Sequence, residues 1–148
     1  MQTKLEYFYI DNRVQAHYQE WHNHHCYELV YYTKGQGNTN IDGVAYTYAQ
    51  NYFSLMLPDC SHNRHHKEET EFIVIGFLYN LPIELLSGVY LDQNDCILNF
   101  MTEMKNEMAS QNNHYQIRLN ALTIEIIVAL NRIIFGTKKE KEEDYFIY

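Results

Sequence analysis

Two imidazoles and a carboxylate stand at strand spacing near the start of the chain. Residues 21–35 read WHNHHCYELVYYTKG, which puts His22, His24 and Glu28 on one side of an extended segment, because side chains along a strand alternate faces. Val30 and Tyr32 continue that row. Imidazole nitrogens and a carboxylate converging on one point form a donor set for a transition-metal cation, with a fourth ligand arriving from elsewhere. His62 is the candidate: it follows a Pro-Asp turn in LPDCSHNRHH and enters the next extended stretch. A barrel of antiparallel strands closing over its own interior brings it beside His22 and His24. Three readings of the four residues stay open. They hold a divalent transition metal (Zn, Ni, Fe or Mn), they form a polar pocket floor for an organic ligand, or they are a hydrogen-bonded cluster with no ligand. Trp21 and Tyr32 are the aromatic residues expected to face a ligand, Tyr32 because it shares the row of Glu28. His25 alternates to the other face, and His65 and His66 lie in a polar, solvent-exposed loop. The lone His17 and His114 have no partner that sequence can name.

The elements that must position these residues change character near residue 79. Before it come short runs rich in Tyr, Phe, Val and Ile, at 24–33, 38–41, 44–48, 52–57 and 71–77, which suit a pleated surface. Asp42-Gly43 between two of them predicts a hairpin, since a type I′ turn needs positive φ at both central residues. After residue 79 the period is helical. Residues 95–108 place Ile97, Phe100, Met101, Met104 and Met108 on one face, with Asp95 as the cap. Residues 114–135 carry Leu119, Leu122, Ile126, Ala129 and Ile133 in a 3-4-3-4 rhythm, and a second apolar stripe through Ile117, Ala121, Ile124 and Val128. A helix apolar on two sides must be covered on two sides. One stripe packs on the rest of the chain and the other on a second copy; the heptad row is expected to be the homodimer seam. Gly136 stops the helix, and KKEKEED after it reads as an exposed linker. The expected division is 1–78 for the barrel and 79–148 for the helical dimerisation segment and the start of a linker.

Composition narrows the function classes. The chain has 148 residues, enough for one domain with a helical appendage. Nineteen Asp and Glu against eleven Lys and Arg give a net charge of −8, which makes direct nucleic-acid binding by this segment unfavourable, because duplex affinity depends on cationic contacts to phosphate. No apolar run is long and uninterrupted enough to span a bilayer, and the N-terminus has no signal-peptide pattern. Cys26, Cys60 and Cys96 are an odd number without CxxC spacing, read as core fillers in a reducing compartment. A cytoplasmic protein is expected. Its fourteen tyrosines suit either sheet surfaces or the faces of a sugar.

His22-x-His24, three residues, Glu28, six residues and Gly35 resemble the first cupin motif at every position. The second cupin motif is met in part: Pro58 and His62 fit, and Asp59 stands where glycine is usual. Asp tolerates positive φ better than most residues, so the turn can survive. With IDG, the spaced tyrosines and the two following helices, residues 15–135 resemble the N-terminal effector-sensing domain of AraC-type transcription regulators. The resemblance implies a mainly β fold, a cupin-like double-stranded β-helix (jelly-roll) barrel followed by C-terminal α-helices. It also implies a small-molecule effector, for example a sugar, dimerisation through the helices, and no catalysis. Tyr7, Phe8 and Tyr9 are by the same resemblance an N-terminal arm over the pocket mouth, or else an ordinary edge strand. In that family DNA is read by a C-terminal helix-turn-helix domain, which this sequence does not reach. The alternative is a metal-dependent cupin enzyme, an oxygenase or isomerase, using the three histidines and Glu28.

Overall fold

A computed structural model describes residues 2–13, 17–22 and 24–137, with the backbone alone described for 17–22. The strands are β1 (Lys4–Arg13), β2 (His17–His22), β3 (Tyr27–Lys34), β4 (Gly37–Ile41), β5 (Val44–Tyr48), β6 (Tyr52–Met56), β7 (His62–His66), β8 (Thr70–Leu78) and β9 (Gly88–Leu91). A single 3-10 turn (Gln93–Asp95) leads into α1 (Cys96–Ser110) and α2 (Tyr115–Phe135). The strands form two antiparallel sheets, one ordered β1-β8-β3-β6-β9 and the other β2-β7-β4-β5. Mainly β with C-terminal helices is therefore the observed class.

Burial along the strands follows from how many faces are covered. In β4 buried and half-buried residues alternate, as expected for a sheet with one wet face. In β3 and β8 nearly every residue is buried, because both faces of the larger sheet are covered. Its inner face meets the smaller sheet through Val30, Tyr32, Met56, Phe72 and Val74, packed with Ile41 and Tyr48. Its outer face carries Leu29, Tyr31, Phe53, Leu55, Ile73, Ile75 and Phe77 against α1 and α2. The molecule is thus sheet on sheet, with a helical layer outside.

Local signals hold where turn chemistry decides. Asp42 and Gly43 have φ of 48° and 82°, and Ile41 pairs with Val44 across them. Gly136 ends α2, its N–H donating to the Arg132 carbonyl at 2.9 Å. Three expectations need correction. The change of period at 79 marks the end of β8, not of the sheet, since β9 lies beyond it and pairs with β6. Asp95 stands at the N-cap position of α1 but its side chain makes no capping hydrogen bond; the service falls to Asp92, whose buried carboxylate accepts from the N–H groups of Ile97 and Leu98, each at 3.1 Å, and from Tyr31 Oη at 2.8 Å. Asp95 instead takes a left-handed conformation with φ of 54°.

The third correction concerns α2. The heptad row is turned inward: Leu119, Leu122, Ile126 and Ala129 are buried in the core between α2 and the larger sheet, with Ile133 half-buried beside them. In this chain the row, apart from the half-buried Ile133, covers the sheet rather than offering a surface to a second copy. The outer face of a five-stranded sheet needs a cover, and the row of larger side chains supplies it. The second stripe faces outward, with Ile117 at 68% exposure and Ile124 at 39%.

Candidate metal centre

The site forms where the chain changes sheets. β2 belongs to the smaller sheet and ends at His22; β3 belongs to the larger and begins at Tyr27. The expected single strand through His22, His24 and Glu28 is therefore broken, and alternation does not connect its two ends. Glu28, Val30 and Tyr32 do share the inner face of β3. The bend carrying His24 is held by the turn before β7, where Asp59 donates its N–H to the His24 carbonyl at 2.7 Å. Asp59 has φ of 61°, the left-handed conformation that favours glycine and that Asp tolerates better than most residues. That turn delivers His62 to the first position of β7.

His24, Glu28 and His62 come together as a result, one ligand atom of each lying within 4.8 Å of the others. His24 Nε2 is 3.0 Å from Glu28 Oε2, and His62 Nε2 is 3.6 Å from Oε1. Glu28 and His62 are buried, at 2% and 0% exposure, while the His24 side chain at 32% marks the side open to solvent. The Nδ1 of His62 meets the Cys60 carbonyl at 3.2 Å, which turns Nε2 toward the carboxylate. Tyr7 Oη donates to Glu28 Oε2 at 2.5 Å, and Cys26 Sγ donates to Tyr7 Oη at 3.7 Å. Two ligands about 2.1 Å from one ion stand roughly 3–4 Å apart, so the contacts to Glu28 already have the spacing that a metal imposes. Two nitrogens and one oxygen suit Zn, Ni, Fe or Mn better than Ca or Mg.

Burial alone would push the Glu28 carboxyl up. Its pairing with His62 and Tyr7, and the nearby His24 and Arg64, outweigh that and hold it below its ordinary value of 4.5. A carboxyl depressed on folding contributes stability that is complete above the ordinary value and lost as pH falls through the folded one. The urea midpoint of the wild type should therefore fall below about pH 4.5 more steeply than that of Glu28→Gln. Equal pH profiles for the two would contradict the depressed carboxyl. Burial also pushes the Tyr7 phenol far above its usual range, with Glu28 adding to it, so Tyr7 stays a proton donor.

The other expected site residues are placed as follows. His22 has its backbone opposite His62 in the β2–β7 register, but its side chain and that of Trp21 lie outside the described residues. Tyr32 is in the inner core, its ring stacked on Tyr48 at 3.7 Å between centroids and its hydroxyl 2.8 Å from Ser54 Oγ. His25 is exposed beside Asp59, as its alternation suggests. The expected polar loop at His65 and His66 is instead strand β7: His65 is exposed, while His66 is buried and its Nδ1 lies 2.6 Å from Tyr48 Oη. Tyr7, Phe8 and Tyr9 belong to edge strand β1, paired with β8, rather than to a separate arm. Cys26 and Cys60 are buried free thiols, and burial pushes Cys60 up to about 11. Sequence reasoning placed Tyr7 only in an arm or edge strand and missed its contact with Glu28, and it missed Arg64 altogether. The latter is buried on the inner face of β7, 5.0 Å from the centre of the Phe72 ring.

No protein family's sequence profile matches the chain, and no curated protein does. Solved structures do. A conserved protein of unknown function from Streptococcus pyogenes is 14% identical with a TM-score of 0.46, covering 50% of this chain and 65% of its own. A predicted oxalate decarboxylase from Thermotoga maritima is 18% identical with a TM-score of 0.47, over 51% of this chain and 68% of its own. An RmlC-like cupin from Shewanella frigidimarina is 14% identical with a TM-score of 0.44, over 51% and 73%. The chain spans less than two thirds of the Streptococcus protein's length. Among the described residues, no helix is long and apolar enough to cross a membrane.

Proposed function

We propose that the chain is the effector-binding and dimerisation domain of a bacterial AraC-type transcription regulator. In this reading it is a cytoplasmic cupin barrel that takes a small metabolite, such as a sugar, and works as a sensor rather than an enzyme. The observation that carries the reading is the His24–Glu28–His62 cluster, two of its members buried between the sheets and His24 at their edge, in a two-sheet fold whose outer face bears two helices. His24, Glu28 and His62 would hold a divalent transition metal, which would supply a Lewis-acid point for an oxygen of the effector. The half-exposed His24 side gives the effector its way in. In this reading DNA contact falls to a separate helix-turn-helix domain, since this segment is acidic and poorly suited to meet phosphates.

The homodimer of this reading uses the outward stripe of α2. Ile124, Glu125, Val128, Arg132 and Ile133 line a groove of about 740 Å³ beside β9 and α1. An antiparallel pair of α2 helices with its two-fold axis between Val128 and Ala129 sets Glu125 against Arg132 of the second copy, and Ile124 against Ile133. In this register each Glu125 faces an opposite charge and each Ile124 an apolar side chain. Sedimentation should show a dimer for the wild type and a folded monomer for Glu125→Arg, and adding Arg132→Glu should restore the dimer. A monomeric wild type at tens of micromolar would end the dimer, and an unaffected Glu125→Arg would end this register.

The second reading, a metal-dependent cupin oxygenase or isomerase, is favoured by the same cluster, whose two nitrogens and one oxygen leave coordination positions open. Turnover of a small substrate by metal-loaded protein, with no change of assembly on ligand binding, would select it over the sensor.

A further inference from the structure

We propose that Tyr7 is a positioning residue for the His24–Glu28–His62 cluster, fixing the Glu28 carboxylate through a hydrogen bond to the same Oε2 that His24 meets, so that the carboxylate is already oriented toward the two imidazoles. The role rests on the metal reading above. β1 is one whole strand removed from β3, and Tyr7, Gly76 and Glu28 stand side by side across β1, β8 and β3. Neighbouring strands are about 4.8 Å apart, so a side chain on β1 reaches β3 only across a residue that leaves the space open. Gly76 is that residue: a Cβ on it would lie 2.2 Å from Cε2 and Cζ of Tyr7.

The backbone of β1 is also bent to aim the ring. Strict alternation puts Leu5 and Tyr7 on one face. The register shift between them breaks it, so Leu5 packs on the outer core under the helices while Tyr7 packs on the inner one. Bulges re-aim side chains in this way beside functional sites. The Oη–Oε2 distance of 2.5 Å is at the short end for a hydroxyl donating to a carboxylate. Cys26 donates to the same phenolic oxygen and so directs the Tyr7 proton toward Glu28.

A carboxylate whose rotation is fixed before a cation arrives is a pre-oriented ligand, the service that hydrogen bonds to metal-binding side chains provide. The test is cobalt(II) titration of wild type and Tyr7→Phe, which keeps the ring and removes the hydroxyl. Losing a group that orients a ligand should weaken cobalt binding about 10- to 100-fold. The visible bands of the bound ion should also change in position and intensity as the freed Glu28 carboxylate turns, a change that a merely structural role would not produce. Equal affinity and equal spectra would overturn the role of Tyr7 alone. A wild type that takes up no cobalt would overturn the metal reading and this role with it. Should Tyr7→Phe not fold, proton NMR of metal-free wild type decides: a phenolic proton far downfield supports the contact, and its absence overturns it.

Discussion

Ile126→Glu should abolish the fold, while Ile124→Glu, two residues away on the same helix, should leave it intact. Ile126 is fully buried between α2 and the larger sheet, and Ile124 is 39% exposed. Replacing Ile126 forfeits about 3 kcal/mol of side-chain burial and places a carboxylate where no cation is supplied, at a cost of several kcal/mol more. Together these approach the whole stability of an ordinary domain, about 5–15 kcal/mol. The exposed position should change stability by only about 0.5 kcal/mol. Circular dichroism and urea unfolding of the two variants check this. A folded Ile126→Glu with the wild-type midpoint would mean that the heptad row does not cover the sheet.

The second large effect is on stability in the presence of metal. Zn²⁺ or Ni²⁺ at a hundredfold excess over its dissociation constant should stabilise the wild type by about 2.7 kcal/mol. For a chain of this size that raises the melting temperature by roughly 5–10 °C. Glu28→Gln keeps the shape and removes the anionic ligand, and His62→Ala removes a buried imidazole; both should lose most of the shift. A wild type that does not respond, or a Glu28→Gln variant that responds equally, would reduce the cluster to a hydrogen-bonded pocket floor.

Much of this arrangement is legible in the sequence, for reasons that differ by residue. His24, Glu28 and His62 converge, but only the turn before His62 acts as read: His24 is brought to Glu28 by a bend between sheets and not by strand alternation. Asp42-Gly43 and Asp59 declare their turns through the backbone conformations that few other residues tolerate. The break between His22 and Glu28 is not legible, because no Gly or Pro marks it; it follows from the crossing between sheets, a long-range feature. The two stripes of α2 are both visible, but which one faces inward depends on the sheet beneath, and hydrophobicity alone does not rank them. Tyr7 is hidden for the same reason, since its partner is 21 residues away and a strand apart. The available signal was Gly76, a lone glycine in an apolar strand, which marks a close approach by something else.

The central claim is that His24, Glu28 and His62 form a metal centre, and anomalous scattering from a crystal of the protein loaded with Ni²⁺ or Zn²⁺ tests it most directly. The account predicts one strong peak per chain, about 2.0–2.2 Å from Nε2 of His24, Nε2 of His62 and a carboxylate oxygen of Glu28. A map with no peak among these three residues, or with the metal only at exposed histidines such as His25 and His65, would contradict it.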